Sequence, residues 1–284
     1  MPRIAGLLIG LFLLLSSLTV VAASDVSVGA MNYPAWLVRD FETLPLEAGT
    51  ELRQDDLVRT GKGGRVQLQL ADGSLLNIGE FSRLLVTAPT SFQVLQGLFR
   101  VAPGFIDAAA GEGSPAVKIG AISVNGRNAD FWGRADLAQD AVCLVAGELA
   151  VTSADAPEVD LNQALSCYVK PRGDLPLPVG LVDMRQHQLW MAETELEKSS
   201  GIAVADGQWQ LVLISLTDAK RAEQALGDLR TKGFAVRDVS VVRDGRTLHR
   251  LLLPGFESIE AALSARERVE ALLGVSDTWV WKAN

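Results

Sequence analysis

Gln208-Trp-Gln-Leu-Val-Leu-Ile-Ser-Leu216 reads as a strand, and the order of the elements after it decides the fold of the C-terminal third. Residues 218–232 place Ala222, Ala225, Leu226 and Leu229 at helical spacing, with Thr217 positioned to cap the start and Gly233 to stop the helix. Residues 234–242 return to strand character, Arg243-Asp-Gly-Arg246 has turn chemistry, and residues 247–253 form a further strand. Ser258 precedes a helix that ends at Gly274, and residues 277–282 close as a last strand. The order β-α-β-β-α-β predicts an α+β, ferredoxin-like unit with two helices on one face of a four-stranded antiparallel sheet.

Side chains two apart on a strand share a face. If Leu211 and Leu213 face the helices, Gln210, Val212 and Ile214 point to the open face. If Leu251 and Leu253 face inward, Arg250 and Leu252 point outward. Trp279 and Trp281 are in phase with each other, so both rings reach the open surface or both pack under the helices. An aromatic ring can stack on the C–H surface of a sugar while its polar edge stays wet. A face containing Val212, Ile214 and Leu252 is also apolar enough to mark a contact with another protein, or with the rest of this chain.

Upstream the pattern is different. Residues 24–44 read as an extended lead-in. From residue 45 short alternating runs are punctuated by Gly and Asp, which predicts strands. Arg65-Val-Gln-Leu-Gln-Leu70 alternates, Ala71-Asp-Gly-Ser74 is turn chemistry, and a three-residue loop there places Leu68, Leu70, Leu76 and Ile78 on one face. Further strands are expected over 91–101, 117–124, 129–133, 141–152 and 166–170. Residues 45–172 are therefore expected to be all-β, solenoid or sandwich-like. Pro171-Arg-Gly-Asp-Leu-Pro-Leu-Pro178 begins a linker over 173–207. One short helix is expected within it, capped by Asp183 and striped by Leu189, Ala192 and Leu196.

The N-terminus carries one basic residue, an apolar run from Ile4 to Leu15, and Val21-Ala22-Ala23 before Ser24. That is the layout of a secretory signal cleaved after Ala23. Left uncleaved, residues 4–23 are long enough to anchor in a bilayer. Either way the body is expected outside the cytoplasm, with the periplasm as its compartment. The net charge of −8 is unevenly spread. Residues 208–284 hold 11 Lys/Arg against 10 Asp/Glu, whereas residues 24–207 hold 14 against 24. Neither half has the basic footprint of a nucleic-acid binder. Cys143 and Cys167, the two cysteines, lie in the exported part and are expected to form a disulfide, each on one of two neighbouring strands.

Two resemblances are specific. Gly49-Thr-Glu-Leu-Arg-Gln-Asp-Asp-Leu-Val-Arg-Thr-Gly61, the Leu70-Ala-Asp-Gly-Ser74 turn, Gly120-Ala-Ile-Ser-Val-Asn-Gly-Arg-Asn-Ala-Asp-Phe-Trp132 and Val145-Ala-Gly-Glu-Leu-Ala-Val151 resemble the FecR domain. Asn125-Gly-Arg-Asn128 stands where Arg-Gly-Thr is usual. FecR proteins relay an outer-membrane signal to a sigma factor through a cytoplasmic N-terminal region. Only Met1 to Arg3 precede the apolar run here, so residues 45–172 are expected to act as a scaffold or interaction module. Residues 208–284 resemble the SPOR domain through Trp209 to Leu216, Ala222, Leu229, Gly233-Phe234, and His249-Arg-Leu-Leu-Leu-Pro-Gly-Phe256. The family's first strand usually has Gln where Val212 stands and Gly where Ile214 stands.

The SPOR resemblance implies binding to peptidoglycan glycan strands stripped of stem peptides, as found at the division septum. It brings Gln210, Val212, Ile214, Arg250, Leu252, Trp279 and Trp281 together as the candidate glycan-binding set. Peptidoglycan and an envelope or division protein are the expected partners. The alternative is a FecR-type signalling or interaction module whose SPOR domain docks on protein. No catalytic role, cofactor or metal is expected: the sequence has two histidines, His187 and His249, read as surface residues, and no His-Glu-x-x-His, Cys-x-x-Cys, Gly-x-Ser-x-Gly or phosphate loop.

Overall fold

The computed structural model describes residues 26–104, 115–196 and 201–283; the expected signal segment, residues 1–23, lies outside them. Among the described residues no helix is long and apolar enough to cross a membrane. The chain is multidomain and strand-rich, with three helices among those residues.

Residues 26–45 are three strands rather than a lead-in: β1 (Val26–Asn32), β2 (Ala35–Arg39) and β3 (Glu42–Pro45). The Val26/Val28 alternation buries both side chains, and β1 runs antiparallel to β5 (Arg65–Leu70). β5 turns into β6 (Leu75–Ile78) with Leu68 opposite Leu76 and Val66 opposite Ile78. Leu70 closes the turn by donating to Ser74, and Leu68, Leu70, Leu76 and Ile78 are all buried. β4 (Leu57–Thr60) joins β2 to β7 (Arg83–Ala88), which pairs with the first half of β8 (Ser91–Ala102). At Gly97, φ +97°, β8 leaves β7 for β6; a Cβ there would lie 2.1 Å from the Ser82 hydroxyl.

The strand expected over 117–124 is two strands, β9 (Ala116–Ile119) and β10 (Ile122–Ala135). Gly120 makes the break because its φ of +51° and its 2.2 Å clearance to the Asp140 carboxylate exclude any side chain. Asp140, fully buried, accepts from the Ala121 N–H and pairs with Arg172 at 2.8 Å. β10 pairs with β11 (Gln139–Ser153), and β11 with both β12 (Ala156–Leu161) and β13 (Ser166–Pro171). Cys143 faces Cys167 directly across β11 and β13, and the two sulfurs are bonded.

Regular structure continues into the linker. Beyond β14 (Gly180–Leu181), α1 (Met184–Thr194) starts at Asp183, whose carboxylate accepts from the Gln186 N–H. Its buried face is not the Leu189 stripe. His187 and Thr194 are buried, and Trp190 stacks flat on Trp132 with ring centres 4.6 Å apart, over the disulfide. Leu189 is exposed. Both stripes recur at helical spacing, so periodicity allowed either, and the fully buried Trp132 ring selected one.

The C-terminal unit contains β16 (Trp209–Leu216), α2 (Ala219–Thr231), β17 (Arg237–Arg243), β18 (Arg246–Phe256), α3 (Ile259–Leu273) and β19 (Trp279–Lys282). Its strands lie in the order β19–β16–β18–β17, all antiparallel. Leu229 of α2 and Ala262, Ala265 and Val269 of α3 share a core with Leu211, Leu213, Leu251 and Leu253. The α2 cap is Asp218, not Thr217: its carboxylate accepts from the Arg221 N–H, and a carboxylate caps at least as well as a hydroxyl. Ser258 and left-handed Gly274 bound α3.

Phe234, Ala235 and Val236 do not extend β17. All three are buried, and Phe234 stacks on Tyr33 of the N-terminal strands with ring centres 5.9 Å apart. The Trp36 indole N–H donates to the Thr231 carbonyl, Ala35 N–H to the Gly233 carbonyl, and Arg237 pairs with Glu47 at 2.5 Å. A two-residue strand, β15 (Ala203–Val204), lies between β1 and β18, so the two sheets form one ladder. The C-terminal unit thus packs on the rest of the chain through this flank.

Candidate functional site

Four strands build the helix-free face, and their pairing fixes which side chains reach it. Val280 packs into the core under the helices, which turns Trp279 and Trp281 outward. Trp279 pairs with Val212 and Trp281 with Gln210; Val212 in turn pairs with Leu252, and Leu252 with Arg237. One row across the sheet is therefore Trp279, Val212, Leu252, Arg237. Arg250, with Ser215 and Val239 beside it, belongs to the next row. Its guanidinium carbon nevertheless lies 5.1 Å from the Trp281 ring centre and 6.0 Å from that of Trp279. To reach both rings, the arginine side chain must run along the sheet across the Val212–Leu252 row.

That geometry corrects three residues of the candidate set. Val212 and Leu252 do point to the helix-free face, but they are 0% and 1% exposed. They form the floor beneath the arginine and the rings, so the face is less apolar than its sequence implies. Ile214 does not point there at all. The pairing slips between Val212 and Ile214, so that Ile214 comes opposite Leu251 and packs against the core. One extra residue in a strand reverses the facing of everything beyond it. Ser215 occupies the place on the face that alternation assigned to Ile214. Gln210, Arg250, Trp279 and Trp281 remain partly exposed on the face, Trp279 most of all at 40%. Arg237 and Val239 of β17 also line it and were not singled out from the sequence. Alternation back from Val241 could have found them.

The two histidines are not plain surface residues. His187 is buried in α1, and burial, with Arg100 nearby, pushes its pKa below the ordinary histidine value. His249 lies on the helix side of β18, where its Nδ1 is 2.9 Å from Asp238 and 3.4 Å from the Ser240 hydroxyl. Both partners meet the same ring nitrogen, so the three residues cannot act as a serine–histidine–aspartate relay, which needs one partner on each nitrogen. Asp56, one of the adjacent carboxylates at 55 and 56, is buried and engaged by Arg39. Among the described residues no group of three or more His, Cys, Asp or Glu side chains is arranged to hold a metal. The helix-free face offers a fixed cation, two indole rings, an amide and the Ser215 hydroxyl.

The family model described as "SPOR domain" matches residues 205–281, and that described as "FecR protein" matches residues 56–151. The chain therefore carries a FecR region followed by a SPOR domain, and the face described above belongs to the SPOR domain. Two crystal structures of a candidate anti-sigma factor from Parabacteroides distasonis ATCC 8503 are similar in outline. They match at 14% and 13% identity with TM-scores of 0.41 and 0.40, over 80% of this chain and 99% of theirs. Similarity that low carries no functional argument. No curated protein matches.

Proposed function

We propose that this is a non-catalytic periplasmic envelope protein that binds peptidoglycan glycan strands, denuded septal strands above all, through the helix-free face of its SPOR domain. The single observation that supports this most is the placement of Trp279, Trp281 and Arg250 together on a solvent-facing sheet in a domain of that family. Indole rings supply flat apolar surfaces for sugar C–H groups, while Gln210 and Arg250 supply hydrogen bonds. The β-α-β-β-α-β order with its 4-1-3-2 strand arrangement supports the ferredoxin-like reading of the domain. The β-rich half upstream serves as a scaffold: Tyr33, Trp36 and Glu47, ahead of the FecR match, hold the flank of the SPOR domain, Glu47 through Arg237 at the edge of the helix-free face.

The test is retention of the whole mature chain on sacculi before and after an amidase strips the stem peptides. Retention that rises after stripping is expected; unchanged retention refutes the reading. The whole chain is required, because in a fragment of residues 208–284 Phe234 would lose its stacking partner Tyr33.

A second role, protein interaction beside the FecR region, is supported by Leu175, Leu177, Val179 and Leu181, exposed along the linker segment that follows it. The first three border an apolar cleft of about 430 Å³ above Tyr168. Capture of a defined envelope or division protein by the wild type, lost on Leu177→Asp, is the expected result.

A further inference from the structure

Among the described residues Arg250 is a cation without an anion. No carboxylate there pairs with it, and its Nε is buried with no hydrogen-bond partner. Several other arginines meet carboxylates, Arg237 with Glu47, Arg39 with Asp56, Arg100 with Asp130 and Arg172 with Asp140, whereas Arg59 lies over the Trp36 ring much as Arg250 lies over its own. Arg250 is held instead by aromatic rings. A guanidinium over indole rings engages its flat face, which leaves the N–H donors around its edge without partners. It is positioned by the tryptophans, seated above an apolar floor of Val212 and Leu252, and only partly exposed. Such a group is strongly matched to a planar anion that can accept two parallel hydrogen bonds. Sugar hydroxyls need no such group; ring stacking and neutral donors serve them.

We propose that Arg250 is the specificity residue of the face and binds the carboxylate of an acidic saccharide. Resting on the glycan-binding reading, that carboxylate is the lactyl group of muramic acid. In an intact strand this carboxyl is tied up as the amide that joins the stem peptide. Hydrolysis of that amide leaves one free carboxylate per disaccharide, spaced regularly along an otherwise neutral chain. Stacking on Trp279 and Trp281 is indifferent to this change, whereas Arg250 is not. Preference for denuded strands is then a matter of charge and not only of removed bulk.

The experiment uses the full mature chain and two probes: amidase-stripped glycan strands, and the same strands with the lactyl carboxyl reduced to the alcohol. The reduced probe is equally free of peptide but has lost the charge. The wild type should bind the stripped strands about tenfold or more tightly than the reduced ones, as expected for a charge-assisted bidentate contact. Arg250→Gln should abolish the preference, so that stripped and reduced strands bind with equal affinity. Equal affinity of the wild type for both probes overturns the role of Arg250 while leaving glycan binding in place. Binding to neither probe overturns the glycan reading itself, and this inference with it. Should Arg250→Gln fail to fold, the wild-type ratio between the two probes still decides the matter.

Discussion

Trp279 and Val280 are neighbours on one short strand, and the structure assigns them opposite duties. Trp279→Ala removes a ring that is 40% exposed on the helix-free face and lies 6.0 Å from the Arg250 guanidinium. A fully buried Trp→Ala typically costs about 3–5 kcal/mol, so a ring buried over some three-fifths of its surface should cost about 2 kcal/mol, the cation–π contact included. In a chain of this size each kcal/mol moves Tm by roughly 2–4 °C, so the melt should shift by about 4–8 °C and leave a folded protein at 25 °C. Sacculus binding should nevertheless fall about tenfold or more, because stacking on one ring of the pair is lost. Val280→Ala removes two methyl groups from beneath the helices, where Val280 packs on the core beside Leu211. At about 0.8 kcal/mol per methylene-sized group, it should cost about 1.5 kcal/mol and leave binding intact. The two melts should therefore be similar and the two binding curves far apart. Normal binding by folded Trp279→Ala, or loss of binding by folded Val280→Ala, would refute the assigned phase of β19.

Other parts of the chain carry four further expected outcomes. Gly120→Ala forces a Cβ to within 2.2 Å of the Asp140 carboxylate at a φ of +51°, and should destabilise by more than about 2 kcal/mol, read as a lowered urea midpoint. Mass spectrometry of unreduced mature protein should find no alkylatable thiol, and Cys143→Ala/Cys167→Ala should cost about 3 kcal/mol for a 24-residue separation. Trp190→Ala should lower stability by several kcal/mol without changing glycan affinity, since its stacking partner Trp132 lies in the FecR half. His187 has a folded pKa below 6.5, so the unfolded chain binds the extra proton first as pH falls. Stability should therefore decline as pH drops below about 6.5 and level off beneath the folded pKa; His187→Gln should flatten that segment of the urea-midpoint profile.

Residues alone were enough to read much of what depends on neighbours in sequence. The β5–β6 hairpin comes from alternation on either side of Ala71-Asp-Gly-Ser74, because a three-residue loop fixes which leucines align. The caps at Asp183 and Ser258 and the stop at Gly274 are likewise local, a side-chain acceptor or a left-handed residue within one turn of the element it bounds. That Trp279 and Trp281 share a face also needed only the period of a strand. Which face they share could not be read that way, because it depends on where the helices pack, and Val280 settles it only once it meets Leu211 and the helices.

Apart from the α2 cap, which falls on Asp218 and not its neighbour Thr217, the misreadings share a cause: tertiary contacts act at distances no local pattern encodes. The slip between Val212 and Ile214 leaves no mark in Leu-Val-Leu-Ile, since all four residues suit either face. Val26–Asn32 is a strand because β5 and Ala203–Val204 lie on either side of it, the second about 170 residues away. α1 buries Trp190 instead of Leu189 because Trp132 waits on another strand. Arg250 sits where alternation placed it, but only the folded sheet shows that it crosses two buried aliphatic side chains to reach two rings, with no carboxylate among the described residues to meet it. Local chemistry determined the elements; the free energy of packing between distant elements determined which of their side chains were left facing water.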